Sequence, residues 1–433
     1  MGFWRNEFTL EEIEFVLEKI RQSRTVKPDG SVSVGGFGAH DNWAAFLVSA
    51  IGLEIRTDAL KNKVVRSAIF SGDLKADFSE KDFRDVVHRL VHKYQKQETE
   101  IFRVVFPIWD KPDFLVGVKR VEDVTLNFSP SPNTNYFKKA FKEREAQRSE
   151  RLFESMFTAE RIRELQQCSL CFAQVRANNH ADANERAAEA IYEVLGLVNM
   201  AKDNEDGWRW SSRALGNLPV SEVLIGPHTT THSENGTLTH GGFWYENWRV
   251  GQTKTRRSAD EVRVWGRRYN QLVQGVSRSP WRDWCKTAAS RYFVAFSNPN
   301  LEEAFLDGWR LFENITGSRY EKVEQKIIRA SNVFEDDIEL RIIGKHLALR
   351  RNLIAHGHPI KTEDEETLAF QMRKFVLPYA KRFILNPFSF TSPQEFWEFL
   401  DLPASKEERE VIRVELHRKL SLLQKAAQFR EEE

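Results

Sequence analysis

Residues 341–358 read R-I-I-G-K-H-L-A-L-R-R-N-L-I-A-H-G-H. Arg341, Lys345, His346, Arg350 and Arg351 precede the closing Asn352-x-x-x-His356, and no acidic residue lies among them. Immediately upstream, Glu335-Asp336-Asp337-Ile338-Glu339 reverses the sign of the charge. Ile343, Leu347 and Ile354 recur at helical spacing, so one long helix is expected, opening near Asp336 and running to Gly357. Pro359 forbids its simple continuation. Asn352 and His356 are four apart and share a face, Arg351 lies beside that face, and the three apolar residues point into a bundle.

The flanking sequence supplies that bundle. Asn300 and Glu303 form a capping-box-like start to a helix carrying Phe305, Trp309 and Phe312, with Gly317 as its terminator. A second helix is expected over 319–332. Thr362 with Glu365 opens another through about Ile384, which Asn386-Pro387 breaks. Ser392 with Glu395 and Ser405 with Glu408 open two more. Helices joined by short connections make a bundle.

Upstream the pattern is mixed. Thr9 and Glu12 frame a helix with Ile13, Val16, Leu17 and Ile20 on one face, and helical patterns recur near 42–52 and 79–95. The runs 101–106 and 114–118, separated by Lys111-Pro112-Asp113, suggest a hairpin. Ser129-Pro130-Ser131-Pro132 marks a boundary before a charged helix over about 135–155. A strand over 169–175 leads into a helix capped by Asp182, with Ala187, Ile191, Val194 and Val198 as its stripe. The segments 220–227 and 237–239 flank Glu234-Asn235-Gly236 as a second hairpin. The fold class is therefore expected to be α+β, with an N-terminal mixed α/β region before a C-terminal all-α bundle. The expected division is an N-terminal α/β domain (1–130), a second α/β section with linking helices (131–295), and the helical domain with its C-terminal helices (296–433).

A net charge of +1 rules out indiscriminate polyanion binding, so any nucleic acid must be held by a local patch. Three cysteines make no disulfide framework, no apolar run is long enough to span a bilayer, and the N-terminus lacks a signal-peptide pattern. A cytoplasmic protein without membrane contact is the expectation.

The segment Arg351-Asn352-Leu353-Ile354-Ala355-His356 resembles the R-N-x-x-x-H signature of the HEPN ribonucleases. The resemblance covers roughly residues 300–385, about a fifth of the chain. Trp309-Arg310-Leu311-Phe312-Glu313 is similar to the tryptophan- and acid-bearing opening helix of the Apea-like HEPN domains. The resemblance implies a homodimer through the helical domain, with a composite cleft that cleaves RNA by 2′-hydroxyl transesterification and uses neither metal nor cofactor. It assigns catalysis to Arg351, Asn352 and His356. Arg350 and His358 satisfy neighbouring spacings, Glu313 would orient the arginine or histidine, and Lys345 would attract phosphate. By the same analogy the role is prokaryotic antiphage defence by abortive infection, with the N-terminal region meeting a phage-derived trigger or partner protein. The competing reading is a non-catalytic HEPN scaffold that binds RNA or only dimerises.

Other motifs carry less. Cys168-x-x-Cys171 lacks a second pair, and strand alternation sends its sulfurs to opposite faces. His228, His232 and His240 surround the expected hairpin without a ligand motif. Between 255 and 292, arginines alternate with Trp265, Trp281 and Trp284, a pattern that serves either RNA stacking or packing.

Overall fold

Strand Glu100–Trp109 organises the main sheet: three separate segments pair with it, all antiparallel. The computed structural model describes residues 2–29, 31–35, 39–55, 57–96, 99–148, 166–203, 218–244, 257–317, 337–358, 362–403 and 405–430. Among them are thirteen helices and eight strands, an α+β fold whose C-terminal half is helical.

The first helix, α1 (Leu10–Ser23), starts with the expected capping box, Thr9 and Glu12 satisfying each other's backbone. Its predicted stripe, Ile13, Val16, Leu17 and Ile20, is fully buried. Strands β1 (Arg24–Val26) and β2 (Val32–Val34) form a small ribbon. Helices α2 (Ala39–Ala50), α3 (Asp58–Ile69) and α4 (Glu80–Lys96) complete a separate hydrophobic core with α1. Arg24 is buried and donates to the carbonyls of Ile69, Ser71, Leu74 and Lys75, taking up acceptors where α3 ends. Helix α3 was not legible in the sequence; Lys61, at its buried face, breaks the apolar pattern by donating to the Ile51 carbonyl.

The long strand is β3 (Glu100–Trp109). It is followed by β4 (Val118–Val121), β5 (Val124–Asn127), α5 (Asn135–Arg148), β6 (Ser169–Ala177), α6 (His180–Lys202), β7 (Leu224–Ile225) and β8 (Thr230–Ser233). The strand order is β4-β5-β6-β3-β7, with β8 also alongside β3. The expected hairpin between 101–106 and 114–118 does not form. β3 pairs instead with β6, from Glu100 opposite Ala177 to Ile108 opposite Ser169, while β4 pairs with β5. Period-two alternation identifies a strand but not its partner. The tight turn around Asn235-Gly236 is present, but it joins β8 to 237–239 rather than the segment around β7.

Alternation on the sheet divides its side chains cleanly. Phe102, Val104, Phe106 and Ile108 of β3, with Cys171, Ala173 and Val175 of β6, enter the main core. Val105 and Phe172 face the other way, under Ala140, Tyr136 and Phe137 of α5. Helix α6 covers the first face. Its cap is Asn179, not Asp182. Asp182 accepts from Thr57 and from the backbone of Asn178, and Glu185 accepts from the backbone of Asp58 and Ala59 at the start of α3. The acids read as the opening of one helix therefore tie down another.

The remaining helices are α7 (Ala259–Arg278), α8 (Arg282–Ser297), α9 (Leu301–Ile315), α10 (Asp337–Ala355), α11 (Thr362–Leu385), α12 (Pro393–Asp401) and α13 (Lys406–Phe429). The helix expected over 319–332 lies outside the described residues. α6 and α8 approach so closely that a Cβ on Gly196 would sit against the Ala289 carbonyl. One continuous core runs from the sheet through α6 and α8 to α9, α11 and α12. The expected boundary at 130 falls between strands of one sheet, and that at 295 falls inside α8.

Candidate functional site

Helix α10 lies against α11 through the side the sequence assigned to the bundle. Leu347 and Ala348 are buried, and Ile343 and Ile354 pack against the core as half-buried neighbours. The helix ends in a Schellman turn. The Gly357 N–H donates to the Ile354 carbonyl and the His358 N–H to that of Leu353, both at 2.9 Å. Gly357 has φ +81°, a conformation that costs glycine little. His356 thus sits as the cap between the last helical residue and that turn, beside the carbonyl end of the helix.

The opposite side of α10 faces solvent. His356 is exposed, Asn352 is half-buried, and Lys345 and His346 are exposed beside them. At helical spacing, the same side carries Ile338, Ile342 and Leu349, each 60–64% exposed, and Leu353. The sequence reading found the histidine and asparagine but missed their company. The Ile338-Ile342-Leu349-Leu353 spacing was the available signal, hidden because Ile343, Leu347 and Ile354 already accounted for a core face. Arg351 is half-buried, leaves the helix on the side of Leu347 and Ala348, and donates through Nη1 to Asn352 Oδ1 at 3.3 Å. Arg350 is half-buried and His358 exposed. Glu313, on α9, accepts the buried Trp309 indole N–H at 2.9 Å, so one carboxylate oxygen orients the tryptophan of its own helix.

A second set of histidines and arginines lies under α5, and its geometry is closed. His228 and His232 are fully buried. Arg148 donates from Nε to His228 Nδ1 at 3.2 Å, which leaves Nε2–H to donate to Gln147 at 3.0 Å. Arg144, 1% exposed, donates to the Val105 and His228 carbonyls and to the Thr230 hydroxyl. That hydroxyl lies 2.9 Å from His232 Nε2 and donates to it, while His232 Nδ1 donates to the Gly236 carbonyl at 3.0 Å. Burial first, then Arg144, pushes His232 down to about 4, and burial with Arg144 and Arg148 holds His228 lower still. Both rings are neutral, with every nitrogen engaged.

The other flagged motifs serve packing. Trp281 is buried and donates to the Phe383 carbonyl, Trp284 meets Trp397 edge-on, and Trp265 lies beneath Lys202 and Arg257. Cys171 is buried, and burial raises its thiol far above the ordinary range. Among the described residues no group of three or more His, Cys, Asp or Glu is placed to hold a metal ion, and no helix is long and apolar enough to cross a membrane. A cleft of about 470 Å³ lies where α6 and α8 meet the β4–β5 turn, lined by Glu189, Glu193, Lys286 and Arg186 among others. Burial raises Glu193 there to about 7.

Compared with protein-family models, curated proteins and solved structures, the chain matches none of them.

Proposed function

We propose that the protein is an endoribonuclease of HEPN type whose reactive face is the exposed side of α10, completed by the same face of a second copy. The observation that carries this reading is the presence of Asn352 and His356 on a solvent-facing apolar stripe, with Arg351 hydrogen-bonded to Asn352. An apolar stripe on a surface helix calls for a partner. A two-fold pairing through it would bring two histidines, two asparagines and two arginines to one cleft.

The chemistry needs that doubling. Attack of a ribose 2′-oxygen on the adjacent phosphorus requires a base to take the 2′-hydroxyl proton and an acid to give a proton to the departing 5′-oxygen. One chain supplies one His356; two supply both roles. The bond formed is 2′-O–P, the bond broken is P–5′-O, and the products are a 2′,3′-cyclic phosphate and a 5′-hydroxyl. Arg351 would offset the charge gathering on the phosphoryl oxygens, and Asn352 would hold the arginine or the phosphate in position. Lys345 lies along the same face as an attraction for the RNA backbone. Arg350 and His358 are the neighbouring alternatives for the catalytic pair. In this reading the N-terminal helical unit and the sheet receive a trigger, and the activity serves antiphage defence.

The test is incubation of the purified protein with total RNA in excess EDTA, beside Arg351→Ala and His356→Ala variants. Cleavage by the parent alone, leaving 2′,3′-cyclic phosphate ends, is the expected result. Equal cleavage by all three proteins removes these residues from the site. Cleavage abolished by EDTA removes the metal-independent mechanism. No cleavage by any, with RNA retained on the protein, favours the scaffold.

A further inference from the structure

The hydrophobic core built by α1 to α4 is separate from the main core, and where α3 and α4 meet the start of α6 a cavity of about 200 Å³ lies between them. Leu60 and Val64 of α3 and Val91 of α4 make its apolar side. Asn178, in the β6–α6 turn, and Asp182 and Arg186, in the first turns of α6, make its polar side. One edge of this seam is tied down. The Thr57 hydroxyl donates to Asp182 at 2.8 Å, and Glu185 accepts from the backbone of Asp58 and Ala59.

The polar side holds two hydrogen-bonding groups that the protein does not meet. Asp182 is not one of them, since its two oxygens accept from the Thr57 hydroxyl and the Asn178 N–H. Arg186 is 5% exposed, and its terminal nitrogens donate to the Arg176 carbonyl and to Asp123. Its Nε–H is buried without an acceptor among the described residues. Asn178 Oδ1 is likewise buried without a donor. A buried donor and a buried acceptor on the wall of one cavity are a pair that a bound molecule can satisfy.

Size, charge and hydrogen bonding narrow the occupant. A cavity of roughly 150 Å³ accepts a benzene ring, so this one has room for a single ring system rather than a whole nucleotide. Arg186 is the only cation among the described lining residues, and Asp123 already offsets it, while Asp182 and Glu54 add negative charge. A phosphate or carboxylate is therefore disfavoured. The occupant must accept from Arg186 Nε, donate to Asn178 Oδ1, and lay an apolar face on Leu60, Val64 and Val91. A nucleobase meets those terms, because its edge carries donors beside acceptors and its faces are apolar.

We infer that this cavity binds a single uncharged nucleobase, held by Arg186 Nε and Asn178 Oδ1 against the apolar side that α3 and α4 supply. Both cores contribute walls, so an occupied cavity holds the first helical unit and the sheet together. The site lies apart from α10 and stands whether or not the protein cleaves RNA.

The full-length protein is titrated by calorimetry with adenine, cytosine and uracil, with their monophosphate nucleotides, and with indole, which has a donor but no ring acceptor. At least one base should bind one to one and raise the melting temperature. Its monophosphate and indole should each bind more weakly by roughly tenfold or more. Asn178→Ala should weaken base binding by a similar factor, about tenfold, yet unfold no earlier than the parent without ligand, because the oxygen it loses has no partner within the protein. Val91→Trp, which fills the apolar side, should abolish binding; if the tryptophan is not accommodated, Asn178→Ala decides alone. Absence of binding by all three bases, unchanged binding in a folded variant, or indole or the monophosphate bound as tightly as the base would each overturn the inference.

Discussion

Two groups of histidine and arginine invite comparison, and they differ in what is left over. Under α5, Arg144 and Arg148 surround His228 and His232, and each ring nitrogen already has a partner inside the protein. On α10, Arg351 and Asn352 hold each other while His356 stands exposed at the helix end. The first group is the more conspicuous constellation by residue type alone, yet burial has fixed its tautomers and made its histidines poor proton acceptors. A group that must exchange protons with a substrate needs access to it. Position on the fold, not residue type, separates a structural histidine from a reactive one.

Four measurements would sharpen that contrast or break it, taken from the largest expected effect to the smallest. His356→Ala should lower RNA cleavage by roughly 10²–10⁴-fold, the range for losing a positioned acid or base, and leave the melting temperature unchanged. Arg144→Ala should do the reverse, costing about 2–4 kcal/mol of stability because the buried His228 carbonyl and the Thr230 hydroxyl lose their donor. Unfolding by urea would show it, and a stable Arg144→Ala protein would mean the buried group is not structural.

The third measurement is stability against pH. His232 titrates near 6.5 when unfolded and at about 4 when folded, so between those values the unfolded chain binds more protons. Stability should therefore fall as pH drops through that window, by up to about 1.4 kcal/mol per pH unit from this ring, with His228 adding in the same sense. His232→Gln should flatten the slope. A slope unchanged in that variant would mean the buried ring is not the source. The fourth measurement concerns Glu193, which acts with the opposite sign. Its carboxyl, raised to about 7 by burial, is protonated more readily in the folded state, so it takes stability away as pH rises from about 4.5 through 7. Glu193→Gln should be more stable than the parent at pH 8 and no different at pH 4.

Many of the helices were legible because their signals are local. The caps at Thr9, Asn300, Ser392 and Ser405 each concern residues within one turn, and all four accept the expected backbone N–H. The core face of α10 followed from spacing alone, as Leu347, Ile343 and Ile354 bear out. The sheet was less legible. Val104 opposite Ala173 and Val105 opposite Thr230 are contacts across long stretches of chain, and alternation names a face without naming a neighbour. Asp182 and Glu185 were read as the start of their own helix because the cap and first turn of α3 that they serve lie more than a hundred residues earlier.

The sequence by itself determined the α+β class, the helix starts, and the placing of Asn352 and His356 on one helix face, since each depends on residues a turn or two apart. Only the tertiary structure decided that this face is open to solvent, that the histidines under α5 are closed off, and that a cavity is left between the two hydrophobic cores. Those outcomes depend on what distant segments bury, and burial is a property of the packed chain rather than of any stretch within it.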